Sequence, residues 1–235
     1  MQVVTNLLEL LVFNVRNLYN AERQIAQFIP LLIEKAKHTS LKNALKHHLD
    51  LSNQQKQRLA EITLLINNTV SGVSFAPLNE EGTASEDKAI AGLTQEINDL
   101  LEMNMSTEVI DAAIIASVQK IEHYEIAAYG TVVSYAQQLK LHTVQGLLTE
   151  TLQEEYDADN LLTALATAAI NKESLPSGLQ LREEFSDKQN TGTVEEDQTP
   201  AEHAAVSISE RTINSPGGRA GTSHRGYGNG ESRGH

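Results

Sequence analysis

The chain has 235 residues, with 18 Lys and Arg against 31 Asp and Glu, a formal net charge of −13, and neither cysteine nor tryptophan. The acidic balance argues against nucleic acid as a partner, since phosphate binding needs a Lys/Arg surface that displaces counterions. The absence of cysteine excludes disulfides, thiolate metal sites and cysteine catalysis. Any metal must therefore be held by carboxylate, imidazole or neutral oxygen.

The amino-terminal run MQVVTNLLELLVFNV is apolar, but Glu9 interrupts it and no basic residues precede it. No stretch reaches the ~20 apolar residues that span a bilayer. A soluble, cytoplasmic protein with no membrane contact is expected. A first helix is predicted from about Asn6 to Lys37, with Leu8, Leu11, Val15, Leu18, Ile25, Ile29 and Leu32 on one stripe and Pro30 expected to kink it. A second starts at Ser40, read as the N-cap, and runs through Leu41, Leu45, Leu49, Leu59 and Ile62 until Asn67-Asn68 and Gly72. A connection from about Val70 to Thr107 follows, too long for a hairpin, with a short helical pattern at Ile90, Leu93, Ile97 and Leu101. The third long helix spans about Glu108 to Lys140, and the fourth runs from about Thr143 until it fades by Asn171.

The helices form two similar pairs. An offset of 103 residues aligns Glu22 with Glu125, Leu18 with Ile121, Ile29 with Val132, Leu41 with Val144, Leu45 with Leu148, Leu49 with Leu152 and Leu59 with Leu162. A repeated helical hairpin joined by one long crossover is the topology of ferritin-like four-helix bundles. The expected fold is all-α, with two antiparallel hairpins, a short helix in the crossover, and domain bounds of 1–171.

Several acids fall on or beside the apolar stripes, where a lone charge is costly. Glu22 lies between Leu18 and Ile25, Glu125 between Ile121 and Ala128, and Glu155 between Leu152 and Leu162, with Asp159 one turn on; Glu122 shares the face of Glu125. Counted from the two turns at ~1.5 Å per residue, Glu22, Gln55, Glu125, Glu155 and Asp159 can share one layer. Carboxylates gathered in a dry layer either protonate or bind a cation. Hard oxygen donors suit iron, manganese, magnesium or calcium, with zinc tolerated if a histidine joins. His48 lies on the second helix's stripe, as a ligand or as a hydrogen-bonded core residue. His47 and His123 point away from the centre, while Tyr19 and Tyr129 read as core residues with a polar tip.

The segments LYNAERQ (18–24), HLDLSNQQ (48–55), QKIEHYEIAAYGT (119–131) and LTETLQEEYDADNLLTALA (148–166) resemble the YciE/YciF family of bacterial ferritin-like proteins, over about residues 7 to 166. EHYEIAAYGT is the specific part. The resemblance implies a ferritin-like bundle, a homodimer, a link to stress responses, and a metal site whose activity the family leaves loosely defined. It carries Glu22, Glu122, Glu125, Glu155 and Asp159 onto the family's acidic positions and His48 and Gln55 onto its second-helix motif. Leu51 departs from the family's usual Glu and Ser52 from its Thr. Ser52-x-x-Gln55 and Glu155-x-x-Ala158 stand where ferritins carry Glu-x-x-His, which speaks against ferroxidase activity.

From Lys172 the periodicity ends, and nine of the 14 glycines lie at or beyond Gly178. Residues 172–235 are expected to form a disordered tail, acidic first (Glu183, Glu184, Glu195, Glu196, Asp197) and then Arg- and His-containing, solubilising or recruiting a protein partner. The reading is a non-haem iron or manganese protein, with zinc as a further option, in stress or oxidative protection, handling iron, oxygen or peroxide. Its alternative is a structural or interaction protein, a dimeric bundle with a partner-recruiting tail and no turnover.

Overall fold

Burial of an apolar stripe, more than helix propensity, fixes the four long helices of this computed structural model, which describes residues 4–79 and 85–178. Helix α1 spans Leu7–Lys35, α2 Thr39–Thr69, α3 Lys88–Leu101, α4 Thr107–Gln138 and α5 His142–Leu165. A π-helical turn at Ala166–Ile170 leads into the short α6, Asn171–Glu173. Of the tail expected over 172–235, residues 179–235 lie outside the described residues, and no strand occurs among those that are described.

Local chemistry sets the helix ends. Asn6 caps α1 by accepting from the Glu9 amide at 3.0 Å, while Glu9 accepts in return from the Thr5 amide at 2.7 Å. Asp87 caps α3 through the amides of Ala89 and Ile90. The cap of α2 is His38, not Ser40: the His38 Nδ1 accepts from the Ser40 amide, and the cap lies two residues earlier than expected. Helix α1 runs unbroken through the exposed Pro30. The α4–α5 connection is turned by Lys140 at φ 57°, the left-handed position that glycine usually fills. Ile170 is buried and the Ser174 hydroxyl donates to the Glu108 carbonyl at 2.7 Å, so the packed chain continues slightly past the predicted limit at residue 171.

Contacts run α1 to α2, α2 to α5, α5 to α4 and α4 to α1, a closed ring of four, with α3 lying on α4 and α1. Buried Asp111, near the start of α4, accepts from the backbone amides of Lys37 and His38 at 2.7 Å each. That clamp places the start of α4 at the α1–α2 connection. Neighbouring helices are therefore antiparallel, and the crossover carries the chain the length of the bundle, as in ferritin-like folds.

The core is divided. One apolar cluster (Ile29, Leu41, Leu45, Ile114, Val118, Leu162) fills the end at the α1–α2 connection, where Ile90 and Ile97 of α3 join it. The other (Leu11, Leu18, Leu59, Ile62, Val132, Leu148) fills the opposite end. Each fully buried Leu or Ile contributes about 1.5–3 kcal/mol. Between the clusters, every long helix places polar side chains inward.

Candidate metal centre

The band between the two apolar clusters is built from Glu22 of α1, His48, Ser52 and Gln55 of α2, Glu122 and Glu125 of α4, and Thr151 and Glu155 of α5, all buried. Each sits on the same stripe as the apolar residues one or two turns away. The packing that buries Leu18 and Ile25 therefore also buries Glu22.

Two ligand sets emerge. Glu22, Glu125 and Glu155 can each offer one oxygen, all within 4.8 Å of one another, and His48, Glu122 and Glu125 do likewise with a ring nitrogen and two oxygens. Glu125 belongs to both. Both its oxygens, both of Glu122, both ring nitrogens of His48 and Oε2 of Glu22 are buried without a hydrogen-bond partner. His48 Nδ1 lies 3.2 Å from Glu122 Oε1, close but without hydrogen-bond alignment. Unpartnered buried polar atoms are rare in native proteins. Here they form one converging set of carboxylate oxygens and an imidazole, the donor set that iron, manganese or zinc accepts.

Some atoms of the cage are held from behind. The Tyr129 hydroxyl donates to Glu22 Oε1 at 2.6 Å. The Gln55 amide donates to Glu155 Oε1 at 2.7 Å and to Glu154 Oε2 at 3.1 Å. Arg58 in turn donates to both oxygens of Glu154 at 2.8 and 3.0 Å. Such outer contacts fix a ligand's orientation.

Electrostatics show how dry the cage is. Burial first, opposed by the Tyr129 hydrogen bond, raises Glu22 from 4.5 to about 7. Burial also raises Glu122 to about 8, with the charges of Glu22 and Asp159 adding to it. Glu125 and Glu155 are pushed well above the ordinary carboxyl value by burial and then by the charge of Glu22. His48 is lowered to about 4 by burial and by the charge of His47. At neutral pH a cage without a cation therefore holds protons on Glu122, Glu125 and Glu155, has Glu22 near its midpoint, and keeps a neutral imidazole.

Of the residues picked from the sequence, Glu22, Glu122, Glu125, Glu155 and His48 converge. Asp159 stands at the margin, half-buried, accepting from Gln119 at 2.9 Å and 3.6 Å from His123 Nε2. His47 and His123 are exposed. Sequence reasoning missed Arg58 and the role of Glu154. It read Tyr129 as a core residue with a polar tip, without the Glu22 contact that tip makes. A signal did exist for Arg58: its place one turn after Gln55 and one residue before buried Leu59 put it beside the stripe.

Comparison with known proteins agrees with the helical fold. The family model described as a domain of unknown function, DUF892, matches residues 6–175. The chain is 34% identical over 156 residues to Protein YciF of Escherichia coli strain K12, covering 66% of this chain and 87% of that protein. The crystal structure of the E. coli stress protein YciF superposes with a TM-score of 0.63 at 31% identity, covering 72% of this chain and 99% of that one. YcfI of Rhodopseudomonas palustris, a protein for which a structural role has been put forward, matches with a TM-score of 0.61 at 31% identity over 69% of this chain and 96% of its own.

Proposed function

The chain belongs to the DUF892 family of YciF-like proteins, and from that membership and the buried cage we propose that it is a carboxylate-bridged metal-binding protein of the stress response, holding two iron or manganese ions. The observation that carries the reading is the sharing of Glu125 by two ligand sets in which both oxygens of Glu125 and Glu122, Oε2 of Glu22 and both ring nitrogens of His48 are buried without a hydrogen bond. A shared carboxylate is how two divalent ions are held close together. His48 supplies the one nitrogen donor, compatible with zinc as a third option.

Glu22, Glu122, Glu125, Glu155 and His48 would hold the ions, and iron or manganese held there would supply one-electron redox chemistry toward oxygen or peroxide. The chain's own part is to bind and orient. Tyr129 holds one oxygen of Glu22, leaving Oε2 for a cation, and Gln55 holds Oε1 of Glu155 in the same way. The two apolar clusters exclude water above and below the cage, which strengthens every charge interaction inside it. Glu22, Glu122, Glu125 and Glu155 would give up protons on taking a cation, so uptake would release acid. The reading includes a cytoplasmic homodimer; no helix among the described residues is long and apolar enough to cross a membrane.

One observation favours a second reading. Neither α2 nor α5 has a Glu-x-x-His pair, since Ser52-x-x-Gln55 and Glu155-x-x-Ala158 stand there, which suits a structural protein without turnover. Loading the full-length protein with manganese or ferrous iron, removing excess and measuring bound metal decides between them. About two ions per chain are expected. A folded protein that remains metal-free would leave only the structural reading.

A further inference from the structure

A cavity of about 200 Å³ opens between α2 and α5 beside the cage. Its walls are mostly apolar, with Ala44, Leu45, Leu51, Ala158, Leu161 and Leu162 among them. His48 and Glu122 line it, and both are buried, with neither His48 ring nitrogen and neither Glu122 oxygen hydrogen-bonded. The exposed residues Asp157 and His47, and Leu161 at 43% exposure, lie on the solvent side.

The internal repeat shows that this space is specific to one side of the bundle. At the offset of 103 residues, Ala158 corresponds to Gln55 and Leu161 to Arg58. On the repeat-related side, Gln55 and Arg58 tie α2 to α5 through hydrogen bonds to Glu150, Glu154 and Glu155. On this side a methyl and an isobutyl group take their places. The cavity lies where that polar plug would be.

We propose that this cavity binds a small neutral molecule with a ring-sized apolar body and a single hydroxyl head, the head meeting His48 and Glu122. Volume sets the body, because a dry cavity of ~150 Å³ accommodates benzene and the present one is somewhat larger. The unpartnered imidazole and carboxyl set the head. A hydroxyl both donates and accepts, and so can satisfy either group whichever carries the proton. A carboxylate head would meet Glu122, Glu154 and Asp157, all acidic, while an ammonium would lose its hydration among apolar walls. The head group meets His48 and Glu122 in the cation-free protein, since a cation in the cage would take the same atoms.

Benzyl alcohol is the probe. Titrated into the full-length, isotope-labelled protein in chelator, it is expected to give saturable amide shifts centred on Leu51, Ala158 and Leu161. Toluene should bind about tenfold more weakly, because it leaves the buried polar atoms unsatisfied, and benzoate and benzylamine more weakly still. Ala158→Leu and Ala44→Leu, placed on opposite walls and checked by thermal melting, should each abolish saturation by filling the space. Shifts that do not saturate, or folded Ala158→Leu and Ala44→Leu proteins that bind as wild type, would overturn the site. Toluene, benzoate or benzylamine binding as tightly as benzyl alcohol would overturn the assigned head group.

Discussion

The hairpins α1–α2 and α4–α5 match in their apolar positions and differ in their polar ones. Leu18 and Ile121, Ile29 and Val132, Leu41 and Val144, Leu45 and Leu148 are buried in both halves, and Leu49 and Leu152 are half-buried in both. The members of each fully buried pair lie at opposite ends: Leu41 and Leu45 belong to the cluster at the α1–α2 connection, Val144 and Leu148 to the other. The repeat thus acts as an internal two-fold axis that runs through the polar band. Only Glu22 and Glu125 obey it there. His48 faces Thr151 across the repeat, Ser52 faces Glu155, and Tyr19 faces Glu122. Symmetric apolar residues make the bundle, while the cage joins one symmetric pair, Glu22 and Glu125, to residues that break the symmetry.

If that division is right, the largest effects should be symmetric. Leu45→Ala and Leu148→Ala each remove a fully buried side chain and should each cost about 2–5 kcal/mol. Chemical denaturation should find the two costs within ~1 kcal/mol of each other. A marked inequality would mean that the halves do not carry the fold equally.

The polar band should show itself as a pH dependence of the metal-stripped protein. Carboxyls raised in the folded state bind protons more tightly there than in the unfolded chain, so stability falls as pH rises from about 4.5 through the folded values of about 7 for Glu22 and about 8 for Glu122. His48, lowered to about 4, acts the other way between pH 4 and 6.5 and no longer contributes above that. The steepest loss, a few kcal/mol in total, is expected between about pH 6.5 and 8. Melting in chelator across this range measures it, and saturating manganese should flatten or reverse the slope. A flat profile in chelator would place these acids in contact with water.

The next effect separates the two residues that obey the repeat. Glu125 belongs to both ligand sets and Glu22 to one. Glu125→Gln should weaken manganese binding by about a hundredfold, roughly 3 kcal/mol, and Glu22→Gln by about tenfold. Calorimetric titration that found equal losses would argue against a bridging role for Glu125.

The asymmetry also explains what the sequence could reveal. Helices, hairpins and the inward set of Glu22, Glu122, Glu125, Glu155 and His48 were legible because helical spacing ties each acid to apolar neighbours that must be buried. The clamp of Asp111 on the Lys37 and His38 amides was not, since it joins residues more than 70 positions apart. The Arg58–Glu154 pair was hidden for the same reason, as an exposed helix face and a bridged one share a sequence pattern. The cavity left no mark, because Leu51 and Ala158 read as departures from a motif and their consequence is a volume between helices.

The smallest effect tests a residue outside the repeat. Tyr129 corresponds to Ala26 in the other hairpin, and its hydroxyl donates to Glu22 Oε1 at 2.6 Å. That hydrogen bond favours the charged carboxylate and opposes the effect of burial. Tyr129→Phe keeps the ring that packs with Leu59 and Val132 and removes only the donor. Near pH 5, where Glu22 is protonated, the loss should be about 1 kcal/mol, that of an ordinary hydrogen bond. Near pH 8 the wild type holds a charged Glu22 against Tyr129, and hydrogen bonds to charged groups contribute about 1.5–3 kcal/mol. The variant's deficit should therefore grow with pH, as the Glu22 transition moves above 7. If Tyr129 were merely core filling, the deficit would be the same at both pH values. Melts of the two proteins in chelator at pH 5 and pH 8 distinguish these cases, and a constant difference would remove Tyr129 from the cage.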